Sequence, residues 1–122
     1  MMTMTQPKPI CKRSDIVLVM FPHSDLRSAK PRPALVIQAD NLQTDLPQVI
    51  VAMITSRLFR ANHPSRVVIR LSTPEGEQSG LLTDSVVMTD NLATIAEAAI
   101  DRVIGSLPMA KVNVALRHTL GL

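Results

Sequence analysis

The sequence predicts a small, mainly β domain (α+β): a curled barrel of short strands closed by one helix. Three observations carry that expectation. Short apolar runs rich in β-branched residues recur along the chain, with turn residues between them. Near the C-terminus the pattern changes, and Met109, Val112, Leu116 and Leu120 fall on one face at near-helical spacing. The 122 residues hold no repeat, low-complexity tract or internal linker, and that length suits one core rather than two. We therefore read residues 1–13 as a flexible tail and residues 14–122 as a single domain.

Taken in order, residues 15–21 form a first strand, apolar throughout. Residues 22–30 follow as a polar loop bounded by proline. A second strand covers 33–38, opened by Pro33, because proline is tolerated as the first residue of a strand. Residues 40–47 carry turn chemistry with room for a helical turn. The third strand, 49–54, lacks alternation and so is buried on both faces; Thr55 and Ser56 end it. Residues 57–66 make a basic loop containing Arg57, Arg60, His63 and Arg66. Strands at 67–71, 85–88 and 102–107 complete the set, with a turn-rich stretch at 72–77. The closing helix begins near Pro108, acceptable in a first turn, and Gly121 suits its C′ position.

Composition excludes several classes. Hydrophobic residues make up 46% of the chain, too many for wholesale disorder. A formal charge of +3 permits a polyanionic partner without requiring one. With Phe21 and Phe59 the only aromatic residues, the chain cannot stack successive bases on an aromatic platform. The lone Cys11 forms no internal disulfide, which fits a reducing cytoplasm. No apolar run approaches the ~20 residues of a membrane span, and the N-terminal stretch lacks the apolar centre of a secretory signal. No His, Cys or carboxylate set has metal-ligand spacing, so neither a metal nor any other cofactor is expected. The four glycines form no phosphate loop.

Residues 30–37, Lys-Pro-Arg-Pro-Ala-Leu-Val-Ile, are the most informative stretch. Pro33 drives Arg32 out of the α region, and Pro31 stiffens the approach from the other side. An arginine held at the mouth of a strand is placed to hold an anion. Alone, the octapeptide reads equally as a solvated charge between turn prolines.

Its company along the chain changes that. Ser14-Asp15-Ile16-Val17-Leu18-Val19 resembles the opening strand of the PemK/MazF toxin family, and Arg32-Pro33-Ala34-Leu35-Val36 is similar to that family's Arg-Pro-(Ala/Val)-Leu-Val. Ala52-Met53-Ile54-Thr55-Ser56 resembles its third-strand ending. The stretch Gly80-Leu81-Leu82-Thr83-Asp84-Ser85, then Leu92-Ala93-Thr94-Ile95, Ile104-Gly105-Ser106-Leu107 and the C-terminal helix follow in the family's order. The resemblance covers residues 14 to 122. It implies an SH3-like barrel of about five to seven antiparallel strands, a homodimer, and a metal-independent endoribonuclease that cuts single-stranded RNA and is silenced by a small antitoxin. Strands apolar on both sides, with an apolar helix, also point to a homodimer.

Such cutting makes the RNA's own 2′-OH the nucleophile. The protein then handles two protons and stabilises an anionic phosphorane. Arg32 and Thr55 match the family's catalytic arginine and threonine: a guanidinium fork meets two phosphate oxygens, and a hydroxyl donates to a third. Ser56 is a candidate assistant. Lys30, Arg57 and Arg60 are candidates to line an RNA groove, with a solvated face as the alternative. His23 is a candidate acid or base, whereas His63 and His118 read as surface residues. The family's Gln-x-Arg-Thr-Ile-Asp is replaced here, with Ala93 and Ala96 standing where the arginine and aspartate would be. Asp90 either keeps an acid's role, as base or as orienter of Arg32, or is a turn aspartate. Competing functions on the same barrel are RNA or antitoxin binding without cutting, and the poisoning of DNA gyrase, for which the expected C-terminal aromatic is missing.

Overall fold

Both parities of the central strands are apolar, and both are buried. Ile16, Leu35, Ala52 and Ile54 face one core with Ile69, Val87 and Leu107. Their sequence neighbours Val17, Val19, Ala34, Val36, Val49 and Val51 face a second core with Ile95. Burial on two faces removes the hydrophobic alternation that a half-exposed strand would show. Each fully buried Val, Leu or Ile contributes about 1.5–3 kcal/mol relative to exposure, so these two cores dominate the fold.

The computed structural model describes residues 10–22 and 29–122. Its strands are β1 (Asp15–Pro22), β2 (Ala29–Val36), β3 (Gln48–Thr55), β4 (Arg66–Ile69), β5 (Ser85–Ala96) and β6 (Ile100–Ser106). They form one antiparallel sheet in the order β4-β5-β3-β2-β1-β6. Two helices accompany it, α1 (Pro74–Ser79) and α2 (Ala110–Leu120). The first core lies under α2, through Val112 and Leu116. The second is enclosed by the sheet's own curl. The long β5 pairs with one half of β3, bulges, and pairs with the other half. A 3₁₀ turn at Glu97–Ala99 then leads into β6, which pairs with β1. The fold is thus the mainly β curled sheet with a C-terminal helix that the sequence predicts.

Four details differ from the sequence reading. First, β2 starts at Ala29, so both Pro31 and Pro33 lie inside a strand rather than before it. Second, most of the stretch read as turn at 72–77 belongs to α1, which is capped by Thr73, whose hydroxyl accepts from Gly76 N at 3.1 Å. Third, β5 runs to Ala96, and residues 40–47 hold no helical turn. Fourth, residues placed in the tail are tied to the domain. Arg13 N donates to Asp40 Oδ1 at 2.8 Å, its guanidinium reaches Ile37 O and Asn113 Oδ1, and Cys11 packs on the second core. Both faces of the sheet are covered within one chain, so the apolar strands alone do not call for a second copy.

Candidate active site

The site begins with a missing N–H. Strands β2 and β3 pair at Ala34–Met53, Leu35–Ala52 and Val36–Val51. Ile37 N donates to Ile50 O at 3.1 Å, so odd-numbered residues of β2 turn their backbone groups toward β3. Even-numbered ones face β1, as the 3.0 Å bond from Ser14 N to Val36 O shows. The next bond toward β3 would come from residue 33, and proline has no N–H to give. The ladder stops at Ala34, and its register would next set Pro33 opposite Ile54 and Arg32 opposite Thr55. On the other side Arg32 pairs with Val19 of β1, so the strand itself holds the arginine in place.

Where β2 and β3 part there is a groove of ≈ 710 Å³, lined by residues 30–33, 54–57 and 80–83 with Leu18, Ser85, Arg102 and Ile104. Its cations are Lys30, Arg32, Arg57 and Arg102; its hydroxyls are Thr55, Ser56, Thr83 and Ser85. No Asp, Glu or His is among its described lining residues. Thr55 Oγ1 accepts from Arg57 N at 3.2 Å, which leaves its own hydrogen for an oxygen in the groove. Arg102 Nη1 rests 2.8 Å from Asp101 Oδ2 on an exposed surface. Such a row of cations and hydroxyls is suited to a phosphodiester backbone.

The groove's other rim hangs on α1. Gly80 takes φ 70°, and a Cβ there would lie 1.9 Å from Ile104 O, so the turn presses directly on β6. The buried Ser79 hydroxyl donates to Gly76 O at 2.6 Å and accepts from Leu81 N at 3.2 Å. These contacts hold residues 81–83 over the groove.

The structure brings Arg32, Thr55, Ser56, Lys30 and Arg57 together, and sends Asp90 and Arg60 elsewhere. Asp90 is neither a turn residue nor a partner of Arg32. It sits in β5 at the bulge between the Met88–Met53 and Leu92–Ala52 pairs. There its carboxylate is forked by Arg66, with Nη2 at 2.8 Å and Nε at 3.3 Å. The Arg66 hydrogen bonds hold the Asp90 carboxyl below its usual range, against the smaller opposing effect of burial. Arg66 Nη1 also donates to Arg60 O at 3.0 Å, fastening a 3₁₀ turn at Leu58–Arg60. His63 Nδ1 accepts from Ser65 N at 3.0 Å, and its ring meets His118 edge-on at 6.2 Å. His23 lies outside the described residues.

Sequence reasoning missed Arg102, and nothing local marks it. It reaches the groove only because β6 pairs Arg102 with Leu18 of β1. Ala93 pairs with Val51 in the middle of β3 and Ala96 with Gln48 at the end away from Thr55, and neither lines the groove. Val51 and Thr55 are separated by roughly 13 Å of strand. The two lost charges therefore do not open a gap in this groove.

A family model for PemK-like, MazF-like toxins of type II toxin-antitoxin systems matches residues 12–120. The chain belongs to that family. It is 32% identical over 117 residues to Endoribonuclease EndoA of Bacillus subtilis strain 168, covering 93% of this chain and 97% of that protein. Among solved structures it is similar to the Mycobacterium tuberculosis toxin MazF-mt6, with 25% identity, TM-score 0.67, and 88% of this chain and 97% of that one covered. The same fold appears in an endoribonuclease in complex with its cognate antitoxin from a mycobacterial species. That match has 22% identity and TM-score 0.69, over 92% and 96% of the two chains. The family match spans both strands of the groove and the Gly80 rim.

Proposed function

We propose that this toxin-family chain is a cytoplasmic endoribonuclease of a type II toxin–antitoxin pair. It cuts single-stranded RNA by directing the 2′-OH onto the adjacent phosphate. The observation that carries the reading is the groove that gathers Arg32, Thr55, Lys30 and Arg57 where the β2–β3 ladder stops at Ala34. In the reaction the 2′-oxygen bonds to phosphorus and loses its proton, the P–O5′ bond breaks, and the departing 5′-oxygen takes up a proton. A 2′,3′-cyclic phosphate and a 5′-hydroxyl result. Arg32 stabilises the phosphorane through two oxygens, Thr55 donates to a third, and Lys30 and Arg57 hold the flanking phosphates. Charge neutralisation comes from these side chains, so no metal is required of the site. A small cognate antitoxin, by analogy with the mycobacterial complex, would silence the groove, and the active species is a homodimer.

One observation favours RNA binding without cutting as the second reading: among the described lining residues no carboxylate or imidazole stands ready to take the 2′-OH proton. Incubation of a mixed transcript pool with the protein in EDTA separates the two. Cleavage should persist, yield cyclic-phosphate ends, and fail where a 2′-deoxynucleotide replaces the cut position. Arg32→Ala should lower the rate by roughly 10²–10³-fold, the scale of one lost transition-state donor. Arg32→Lys should remain poor because an ammonium lacks the fork, and Thr55→Val should cost less than Arg32→Ala. Activity that returns only with added Mg²⁺, or a folded Arg32→Ala that cuts like wild type, would overturn the assignment. RNA retention without any cleavage would establish the second reading.

A further inference from the structure

Phe59 is one of the chain's two phenylalanines, yet it is 79% exposed. It sits on the 3₁₀ turn Leu58–Arg60, two residues beyond Arg57 of the groove. Two residues of chain reach at most about 7 Å, so the ring is carried next to the cationic end of the groove. The Arg60 guanidinium lies over the ring, 5.7 Å from its centroid. The ring therefore bears a cation on one side and, being mostly exposed, offers its remaining surface to solvent. A turn this short holds its shape through outside support, which it has. Arg60 N donates to Arg57 O at 3.1 Å and Ala61 N to Leu58 O at 3.0 Å. Arg66, itself forked by Asp90, donates to Arg60 O at 3.0 Å.

We propose that Phe59 is a stacking platform for a single RNA base flanking the cut phosphate, held in place by Arg60 and by the Arg66–Asp90 fork. The proposal rests on the endoribonuclease reading and names a specificity element for it. A lone aromatic cannot bind a run of bases, but one ring backed by a guanidinium grips one base, and its cationic neighbours favour a polyanion over an apolar protein surface. Arg66 and Asp90 are positioning residues for the turn and touch no RNA.

The test begins with a transcript pool cut by wild-type protein, which supplies the cleavage sequence. Oligonucleotides of that sequence, with 2′-deoxyribose at the cut position, are then made with each flanking base removed in turn. Binding is measured by fluorescence anisotropy for wild type, Phe59→Ala and Phe59→Trp. One abasic position should weaken wild-type binding by about 10-fold or more. The same abasic position should be silent in Phe59→Ala and costly again in Phe59→Trp. With cleavable RNA, Phe59→Ala should raise KM far more than it lowers kcat. If wild type cuts RNA and Phe59→Ala binds every oligonucleotide equally well, the platform is wrong and the nuclease reading stands. A uniform loss at all positions, with the mass halved in light scattering, would make Phe59 a contact between copies and overturn the platform. A wild type that cuts nothing removes the nuclease reading and the platform with it.

Discussion

Asp90 gives both carboxylate oxygens to Arg66, and the same guanidinium reaches on to the carbonyl of Arg60. The Asp90 side chain is one-third exposed, so the pair's value lies in geometry more than in stability. Its pH dependence has a definite sign. The folded carboxyl titrates below its unfolded value, held there first by the Arg66 hydrogen bond. Its contribution is therefore complete above about pH 4, the unfolded carboxylate range, and fades as pH falls through the lower folded value. Asp90→Asn keeps the shape and removes the charge. Wild type and Asp90→Asn should differ modestly in melting temperature at pH 7 and converge in acid, as followed by circular dichroism from pH 7 to pH 2.5. A gap that widens toward acid would mean the carboxyl is not held low. At this scale the sequence was readable where one residue constrains the next. Pro-Arg-Pro marked Arg32, and Thr55, which lines the same groove, ends the strand that pairs with β2. The partner of Asp90 lies in another strand, and no spacing in the chain announces it.

Glycine at position 80 meets two demands that position 121 lets us separate. Both adopt left-handed backbone, at φ 70° and 69°, but only Gly80 is crowded: a Cβ would fall 1.9 Å from Ile104 O there, and no atom of the described residues lies within 4 Å of one at Gly121. Gly121→Ala should therefore cost about 1 kcal/mol, the conformational penalty alone. Gly80→Ala adds a backbone clash that must push α1 off β6, and we expect about 3 kcal/mol or more. For a domain of this size that corresponds to a fall in Tm of roughly 10 °C, together with a disordered groove rim and weaker RNA binding. Equal losses for the two variants in calorimetry would show that the close approach carries no weight. The elements themselves were legible to different degrees. β1 and β3 stood out as period-free apolar runs because both faces of the sheet are buried. The far half of β5 was hidden by polar residues 89–91, which occupy the bulge. The start of β2 was hidden by prolines, tolerated there because their backbone side faces the open groove. α1, at six residues, is too short to show a period, and its capping residues Thr73 and Gly80 sit among turn residues that read as a loop.

Among the described residues, a single copy of the chain leaves the β4 and β6 edges of the sheet unpaired and apolar side chains exposed on and just after its C-terminal helix. Val114 is 63% exposed, Leu120 53% and Leu122 86%, all on or just after α2. Val114 also lines a cleft of ≈ 330 Å³ between α2 and β4, with Val67, Val68, Ala115 and Pro64 and, at its polar side, Arg66 and Lys111. Val114 lies together with the valines of this cleft, and such an apolar patch marks a surface that another protein surface covers. A second copy can cover it about a two-fold axis, where the same patch meets itself. This is a different ground for the homodimer from the one the sequence offered, because the strand rows already find partners within the chain. Light scattering at micromolar concentration should give twice the 13.3 kDa chain mass. Val114→Glu would place charges against each other or against apolar surface at such an axis, and should shift the population to monomer while leaving the circular dichroism spectrum intact, since Val114 lies outside both cores. Wild-type protein that runs as a monomer at that concentration would remove the dimer. A Val114→Glu variant that stays dimeric would move the interface off this helix, to the β6 edge and its exposed Val103.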